Sequence, residues 1–293
     1  MLTTMADMLD YANEHNFAVM AVNSCSMETV QATIQAAVRE DSPVIINISP
    51  RQMKLMIDPE SFMPGVVALA ESVDVPVALN LDHGMKREDI MRAMKLGFTS
   101  VMFDGSALPY ERNRDITRYM VSVAHGMGIT VEAELGHVGQ AADGDGRTDD
   151  MYTKVEDAVR FIEETGVDCL AVAVGTAHGT YPEGFVPTLD FDRLKAIKEA
   201  TGAPLVLHGG SGSGEENIKR AVACGINKIN VCSDVFAVGR DYLRDVLAEN
   251  PRCDYMSLMK GAQAAMADYV AAYMRLIGSA GKAHFDIEDT SKE

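Results

Sequence analysis

Long hydrophobic runs are absent from this chain of 293 residues. A membrane-spanning helix needs roughly 18 or more consecutive apolar residues, and no stretch approaches that length. Residues 1–15 carry Asp7, Asp10 and Glu14 in an amphipathic pattern, whereas a secretory signal peptide requires a basic start and an unbroken apolar core. We therefore expect no membrane partner and no signal peptide.

Basic residues are scarce. The chain has 26 lysines and arginines against 43 aspartates and glutamates, which gives a formal charge of −17. Nucleic acids and anionic membrane surfaces both require a basic face on the protein, so we expect neither as a partner. A small anionic substrate remains compatible with this charge if backbone N–H groups and a metal neutralise it locally.

Paired cysteines and linkers are also missing. The five cysteines form no Cys-x-x-Cys pair, and their odd number leaves no complete disulfide framework, so we expect a reducing, cytoplasmic setting. No segment rich in proline or serine divides the chain. The sequence therefore predicts a single domain over 1–278, followed by a polar tail at 279–293 that we expect to be mobile.

Eight short runs rich in Val, Ile, Leu and Ala recur along the chain. They are continuous rather than alternating, which is typical of strands in a parallel sheet that is covered on both faces. Eight such units in a chain of this length favour an α/β fold of the (β/α)8 TIM barrel type over an open, doubly wound sheet. The runs cover residues 18–23, 43–49, 76–82, 100–104, 130–136, 169–175, 204–209 and 228–233.

Segments with helical spacing separate these runs. A first helix at 5–15 precedes strand one and is expected to cap the bottom of the barrel. Extra helices near 235–249 and 255–277 follow strand eight. The helices predicted between strands cover 27–40, 87–96, 113–126, 154–165, 191–201 and 215–224.

Polar side chains close most of the predicted strands. In barrel enzymes the active site lies at the carboxyl ends of the strands, so these residues are the candidates for chemistry. Four of the seven histidines fall within a few residues of a strand end. The strand-end residues are Asn23, Ser49, Asp82, His83, Asp104, Glu132, Glu134, His178, His208 and 230–233.

Three histidines, His83, His178 and His208, each follow a separate apolar run. A single histidine in such a place is more often a hydrogen-bonded structural residue than a ligand. Three in equivalent positions favour a metal site, because three neutral imidazoles with one open position are the arrangement of a catalytic zinc. Ligand type alone leaves other metals open.

Several carboxylates accompany the histidines. Asp82 precedes His83, and on a regular strand the two side chains would point in different directions, so Asp82 could face a substrate as an acid/base group. Capping the next helix is the alternative for Asp82. Glu132 and Glu134 share one strand face, and Glu134, like Asp104, is a further candidate for metal binding or for orienting a ligand.

A glycine-rich turn follows the seventh run. Segment 207–212 reads LHGGSG and leads into a predicted helix, so successive N–H groups and the positive helix end suit a phosphate. Asn230, Val231, Cys232 and Ser233 end the last strand, and in barrels the loops after strands seven and eight commonly bind phosphate together. The pair favours a phosphorylated substrate, although a turn and a helix N-cap would explain either segment alone.

Six motifs occur in order within residues 6–277: LDH at 81–83, SVMFDGS at 100–106, EAELG at 132–136, GTAHG at 175–179, LHGGSG at 207–212 and KINV at 228–231. Together they resemble the class II, zinc-dependent ketose-bisphosphate aldolases, the family of fructose-1,6- and tagatose-1,6-bisphosphate aldolases. The resemblance implies that His83, His178 and His208 bind zinc and that Asp82 exchanges the proton of the hydroxyl that becomes the aldehyde.

The resemblance also implies the ligands. One catalytic Zn²⁺ per subunit is expected, another divalent metal is an alternative, and a monovalent cation is a further candidate cofactor. The expected partners are a phosphorylated ketose and dihydroxyacetone phosphate, in a homodimer or homotetramer. The loops that begin at Asn23 and Ser49 are expected to shape the sugar pocket. The dihydroxyacetone phosphate half is expected on Gly179, Gly209, Gly210, Ser211, Asn230, Val231, Cys232 and Ser233.

The expected reaction is the cleavage or formation of a ketose 1-phosphate or 1,6-bisphosphate. A metal that binds the ketone oxygen stabilises an enediolate, so the carbon–carbon bond breaks without a lysine Schiff base. Asp82 removes the hydroxyl proton of the departing aldehyde, and a second acid protonates the enediolate carbon.

The chain departs from the family in a loop that resembles a lid. After EAELG the family has a segment like Gly-Gly-x-Glu-Asp, and its glutamate handles the carbon proton. Here Ala142 occupies the glutamate position within GQAADG at 139–144. We hypothesise that Asp143 or His137 has taken over this proton transfer. The alternative is that neither does, so that the protein acts on another ketose phosphate or is a poor aldolase.

A second departure concerns the distal phosphate. The family often uses an arginine in a segment like Pro-Arg-Lys-Tyr, and here Cys253 takes the arginine's place when Tyr255 is aligned, with Arg252 one residue away.

Two alternatives to the aldolase stay open: a metal-dependent sugar-phosphate epimerase or isomerase on the same site, and a sugar-phosphate-binding homologue with impaired catalysis.

Overall fold

The computed structural model describes residues 1–140, 151–182 and 184–285. The strands in these ranges are β1 Val19–Asn23, β2 Val44–Ile48, β3 Val77–Gly84, β4 Ser100–Phe103, β5 Thr130–Leu135, β6 Gly139–Gln140, β7 Cys169–Val172, β8 Ala177–His178, β9 Leu205–Leu207 and β10 Ile226–Val231. All except β6 and β8 belong to a closed parallel barrel of eight strands, in which β1 pairs with both β2 and β10. This confirms the predicted (β/α)8 fold.

Helices separate the barrel strands and form the outer layer. Their bounds are α1 Met5–Glu14, α2 Met27–Glu40, α3 Pro50–Leu55, α4 Pro59–Glu71, α5 Arg87–Lys95, α6 Tyr110–His125, α7 Val155–Thr165, α8 Phe191–Thr201, α9 Glu215–Ala223, α10 Ser233–Glu249 and α11 Tyr255–Leu276. None of these described helices has the length and hydropathy of a bilayer span.

The barrel strands are buried on both faces. Every residue of β1 and β2 is buried, and β2 reads Val-Ile-Ile-Asn-Ile. Branched side chains on one face pack against the helices, while those on the other fill the barrel, so a strand without polar alternation is stable here.

The first helix closes the amino-terminal end of the barrel. The Thr4 hydroxyl accepts a hydrogen bond from the Asp7 N–H at 3.3 Å and so caps α1. Met5, Met8 and Leu9 are completely buried in a cluster with inward-facing strand residues such as Val19. The opposite end, where the strands finish, is the end that carries active sites in barrels.

Two helices between β2 and β3 were not identified from sequence spacing. Ser49 caps α3 by accepting the Gln52 N–H at 3.3 Å, and proline occupies the first turn of both α3 and α4. Proline suits a first turn because its missing N–H has no helical partner there. Pro64 inside α4 and the shortness of α3 obscured the helical pattern.

Some strand bounds also differ from the predictions. The last strand begins at Ile226 rather than at 228 and ends at Val231, so that Ser233 already belongs to α10. The sixth predicted run ends three residues early, at Val172. The chain then forms β8, which pairs with β6 in a separate two-stranded sheet through Gly139 and Ala177. His178 therefore lies on a strand outside the barrel.

The carboxyl-terminal segment returns to the start of the chain. Beyond α11, the Gly281 N–H donates to the Glu40 carbonyl at 2.8 Å and the Ala283 N–H donates to the Asp41 carbonyl at 3.0 Å. Phe285 stacks on Tyr11 with 4.8 Å between ring centroids. These contacts hold residues 281–285 in place, and the described part of the predicted tail is 279–285. The division of the chain at 278 stays a prediction, and 286–293 lie outside the described residues.

Candidate active site

A bulge in β3 sets the position of His83. Leu81 pairs with Val101, but the next paired residues are Gly84 and Phe103, so two residues of β3 oppose one of β4. His83 has a φ of 53°, in the left-handed region that histidine seldom adopts. The alternation expected for a regular strand is therefore wrong here: His83 Nε2 lies only 3.9 Å from Asp82 Oδ1.

Asp104 holds the far nitrogen of the His83 ring. Its Oδ2 lies 2.8 Å from His83 Nδ1, and its Oδ1 accepts the Ser106 hydroxyl at 2.7 Å. A carboxylate is a pure acceptor, so His83 Nδ1 carries the proton and Nε2 is directed to the centre of the site. Asp104 thus lies behind His83 instead of beside the other histidines.

His208 is oriented in the same way by another carboxylate. Its Nε2 lies 2.8 Å from Glu132 Oε1, and its Nδ1 lies 3.0 Å from His83 Nε2. The ring is completely buried. Because Glu132 accepts from Nε2–H, the Nδ1 lone pair faces the centre of the site.

His178 completes the group from the separate sheet. Its ring centroid lies 4.7 Å from that of His83 and 5.5 Å from that of His208, in edge-on geometries. The Tyr181 hydroxyl accepts the Ala177 N–H at 2.7 Å and donates to the Ala177 carbonyl at 3.2 Å, which braces the residue before His178.

Four donor groups converge at this point. Ligand atoms of His83, Glu134, His178 and His208 all lie within 4.8 Å of one another. Glu134 Oε2 is buried and has no hydrogen-bond partner in the part of the chain that the structure describes. An unpaired buried carboxylate oxygen is costly, and three imidazoles with one carboxylate are a donor set that suits a divalent ion such as zinc. The residues therefore fit a metal.

Burial, together with neighbouring charges, shifts the pKa values at the group. Burial lowers the pKa of His178 to about 4, assisted by the charge of His83, and both causes also hold the pKa of His208 well below its usual range. Burial and the neighbouring charge of Asp104 raise the pKa of Glu134 to about 8. His178 and His208 are thus neutral near pH 7, the form that ligates metals.

Asp82 is held by two amides next to this group. Asn23 Nδ2 donates to Asp82 Oδ2 at 2.8 Å, and Asn230 Nδ2 donates to Oδ1 at 3.0 Å. Burial raises the pKa of Asp82, but the charges of His83 and Lys228 together with the Asn23 hydrogen bond lower it below its usual value. Asp82 is therefore an ionised base in a buried position.

The two predicted phosphate segments lie side by side. The Gly210 N–H donates to the Asn230 carbonyl at 3.0 Å, and the Ser211 hydroxyl accepts the Cys232 N–H at 3.1 Å. Gly209 has a φ of 69°, and a Cβ there would lie 2.4 Å from the Ala177 carbonyl oxygen. Glycine at 209 thus lets the β9 loop approach β8, next to Gly179.

The remaining predicted residues lie in several places. Val231 is buried at the end of β10, and Ser233 begins α10. Ser49 serves as the α3 cap described above. His137 follows β5, and its N–H donates to the Met151 carbonyl at 2.8 Å. Asp143 and Ala142 lie outside the described residues.

Comparisons with known proteins agree with this geometry. The family model of class II fructose-bisphosphate aldolases matches residues 3–282. The chain belongs to this family. As a class II aldolase, it is a carbon–carbon lyase. It is 38% identical over 285 residues to the fructose-bisphosphate aldolase of Geobacillus stearothermophilus, with 96% of this chain and 99% of that protein covered.

Two further relatives extend the comparison. The aldolase is 36% identical over 286 residues to the 6-phospho-5-dehydro-2-deoxy-D-gluconate aldolase of Halalkalibacterium halodurans, covering 96% of this chain and 98% of that one. The crystal structure of the YdjI aldolase from Escherichia coli K12 is similar with a TM-score of 0.86 and 33% identity, covering 97% of this chain and 100% of that chain.

Sequence reasoning missed one buried cation in the aldolase. Lys228 is completely buried in β10, and its Nζ lies 2.6 Å from Glu132 Oε2. A lysine inside an apolar run, two residues before Asn230 and hence on the same strand face, was the available signal. The sequence identifies its partner Glu132 as a strand-end residue that shares a face with Glu134, without showing that the two side chains pair.

Proposed function

We propose that this aldolase is zinc-dependent and cleaves or forms a ketose 1-phosphate or 1,6-bisphosphate, with dihydroxyacetone phosphate and an aldehyde as the other reactants. The observation that carries the proposal is the convergence of three imidazoles and Glu134 within 4.8 Å, beside the ionised and amide-bound Asp82. Such a site joins a metal-capable group to a base, as cleavage next to a ketone requires.

His83, His178 and His208 would hold the ion, and Glu134 would serve as a fourth ligand or as the ligand of a second position. When bound there, the ion supplies a Lewis acid that polarises the ketone oxygen of the substrate. Nitrogen and oxygen donors suit zinc, and another divalent metal is the alternative.

Asp82 would act on the aldehyde half of the substrate. In cleavage it takes the proton from the hydroxyl on the carbon that becomes the aldehyde, and in synthesis it returns that proton. Two amide donors keep the carboxylate oriented, and its lowered pKa keeps it ionised in the resting site. His137 or Asp143 would exchange the proton of the carbon that remains on the dihydroxyacetone phosphate half.

The phosphate of that half would bind where the β9 and β10 loops meet. Gly209, Gly210 and Ser211 lie beside 230–233 through the hydrogen bonds already described. Ser233 begins a helix of 17 residues, whose amino-terminal N–H groups favour an anion. Gly179 borders the same space from β8.

The substrate class is proposed more broadly than fructose 1,6-bisphosphate. One relative at 36% identity is named for another phosphorylated keto substrate, and Cys253 occupies the aligned arginine position of the distal phosphate. Arg252 itself is exposed in the turn between α10 and α11. Assays should therefore include ketose phosphates with different distal groups.

A coupled assay of triose phosphate release tests the proposal. Fructose 1,6-bisphosphate, tagatose 1,6-bisphosphate and 5-dehydro-2-deoxygluconate 6-phosphate would each be tested with chelator, without it, and after zinc is added back. Chelator-sensitive cleavage of any of them supports the zinc aldolase. Zinc and dihydroxyacetone phosphate binding without any cleavage would instead favour the epimerase or the impaired homologue.

We also propose a homodimer or homotetramer. Tyr255 and Met256 at the start of α11 are 70% and 78% exposed, and large apolar side chains exposed together are typical of contact surfaces. Light scattering of the purified protein measures the mass directly, and a monomer at micromolar concentration would contradict this part.

A further inference from the structure

The ion pair beneath the site has no contact with water. Lys228 and Glu132 are both completely buried, and Lys228 Nζ lies 2.6 Å from Glu132 Oε2. Replacing a buried ion pair by apolar residues of similar volume is often neutral or stabilising, because desolvation offsets the attraction of the charges. Stability alone is therefore a weak explanation of this pair.

One end of the pair reaches His208. Glu132 uses Oε2 for Lys228 and Oε1 for His208 Nε2, at 2.8 Å. An ionised carboxylate only accepts hydrogen bonds, so the imidazole proton is held on Nε2. The lone pair is then on Nδ1, which lies 3.7 Å from Glu134 Oε2 and faces the donor group.

The other end of the pair reaches Asp82 through an amide. Lys228 Nζ donates to Asn230 Oδ1 at 2.8 Å. An ammonium only donates, so it fixes which end of the Asn230 amide is oxygen and leaves Nδ2 to donate to Asp82 at 3.0 Å. Without the cation, Asn230 Oδ1 loses its donor and Asp82 alone orients the amide.

We propose that Glu132 and Lys228 are a positioning pair that sets the tautomer of His208 for metal binding and the orientation of Asn230 toward Asp82. This inference rests on the proposed function, since it assigns the metal to the donor group and the proton transfer to Asp82. Neither residue touches the reacting atoms. Both the metal-binding group and the base Asp82 therefore depend on the buried ion pair of Glu132 and Lys228.

Glu132→Gln separates this role from mere packing. The variant keeps the side-chain shape, but Lys228 attracts the amide oxygen and leaves the NH₂ group facing His208 Nε2. The ring must then accept at Nε2 and carry its proton on Nδ1, where the proton blocks metal binding. We expect zinc affinity to fall about 10–100-fold, the usual effect of losing the hydrogen-bond partner of a ligand.

A double variant, Glu132→Gln with Lys228→Met, provides a rescue test. With the ammonium removed, the new amide at position 132 is free to turn its oxygen to His208 Nε2, so zinc affinity should recover to within a few-fold of wild type. Asn230 then keeps its hydrogen bond to Asp82 but loses the one from Lys228, so kcat should stay below wild type. A purely structural role predicts that the second substitution, which removes the stranded ammonium, restores zinc affinity and kcat together.

The experiment combines zinc competition with a chromophoric chelator and imidazole ¹⁵N spectra of the metal-free protein. Glu163→Gln, at an exposed glutamate on α7, is the matched control and should equal wild type.

Wild-type His208 in the Nδ1–H form, or unchanged zinc affinity in Glu132→Gln, would overturn the positioning role. If wild type binds no zinc, the proposed function fails, while the metal-free spectrum still decides the tautomer. If Glu132→Gln does not fold, the wild-type spectrum and the double variant still test the positioning role.

Discussion

His83 Nε2 and His208 Nδ1 lie 3.0 Å apart, although each ring already directs its other nitrogen to a carboxylate, Asp104 or Glu132. Burial lowers the pKa of His83, but the charge of Asp82 and the Asp104 hydrogen bond raise it to about 10. A proton therefore lies between the two inner nitrogens until a cation takes its place. The two carboxylates thus prepare the rings for a metal before any substrate arrives.

Zinc should therefore stabilise the folded protein. A ligand that binds only the native state at about 100 times its Kd adds about 2.7 kcal/mol, which for a chain of this size raises Tm by about 4 °C. Differential scanning fluorimetry after chelation and zinc add-back measures the shift. His178→Ala should abolish it, and His15→Ala, at an exposed position after α1, should retain it. An identical Tm with and without zinc would contradict the metal site.

Asp82→Asn should abolish most activity without removing the metal. The substitution deletes the base and places an amide against the donors Asn23 and Asn230, so kcat should fall by about 10²–10⁴. Zinc content by atomic emission should match wild type. Asp74→Asn, at an exposed aspartate, is the control and should keep full activity. Retained turnover in the Asp82 variant would remove it from the proposed chemistry.

Proton exchange at the carbon of dihydroxyacetone phosphate should depend on His137 or Asp143. His137→Ala and Asp143→Ala are compared by the exchange of solvent deuterium into dihydroxyacetone phosphate, which isolates this step from carbon–carbon cleavage. The variant that lacks the acid/base group should lose exchange by about 10²-fold or more while it still binds zinc. Undiminished exchange in both variants would show that neither replaces the glutamate that Ala142 lacks.

Gly209→Ala should destabilise the protein and loosen the phosphate segments. Its φ of 69° is strained for alanine, and the new Cβ would lie 2.4 Å from the Ala177 carbonyl oxygen, so the unfolding free energy should fall by about 3 kcal/mol. Gly202→Ala is the control, with a φ of 62° and open space around a Cβ, and should cost only about 1 kcal/mol. Urea unfolding measures both, and equal losses would contradict the close approach.

Cys232 should resist alkylation. Burial raises the pKa of its thiol to about 12, from an ordinary 9.0, so at pH 8 the reactive thiolate is about a thousandfold rarer than in an unfolded chain. Iodoacetamide labelling followed by mass spectrometry should find Cys232 modified more slowly than Cys224 and Cys253, which are also partly exposed. Because the thiolate fraction grows tenfold per pH unit below the pKa, labelling of Cys232 should still be rising at pH 10. A plateau near pH 9 would contradict the shift.

The barrel and its main donors were predictable because they depend on local pattern. Continuous apolar runs indicate buried parallel strands whatever their partners, and a histidine at a strand end lies at the active face of a barrel. Hence the sequence predicts His83, His178 and His208 as one group, and the structure brings them together.

Features that depend on contacts between distant segments were not predictable. The bulge at Asp82 and His83 comes from the pairing of β3 with β4, and β8 exists only because β6 lies beside it. The partner of Lys228 is 96 residues away in sequence. Hydrophobic periodicity carries no information about such a pairing. The sequence therefore identifies Lys228 only as part of a strand.

The ion pair of Glu132 and Lys228 also constrains how this sequence can vary over time. A change at either position alone strands a charge inside the barrel, which costs about 3–5 kcal/mol, a large share of the stability of an ordinary domain. A single substitution at either position should therefore be selected against. Both residues can change only if a destabilised intermediate survives until the second substitution occurs. Among relatives, we expect the two positions to be replaced together or to remain as they are.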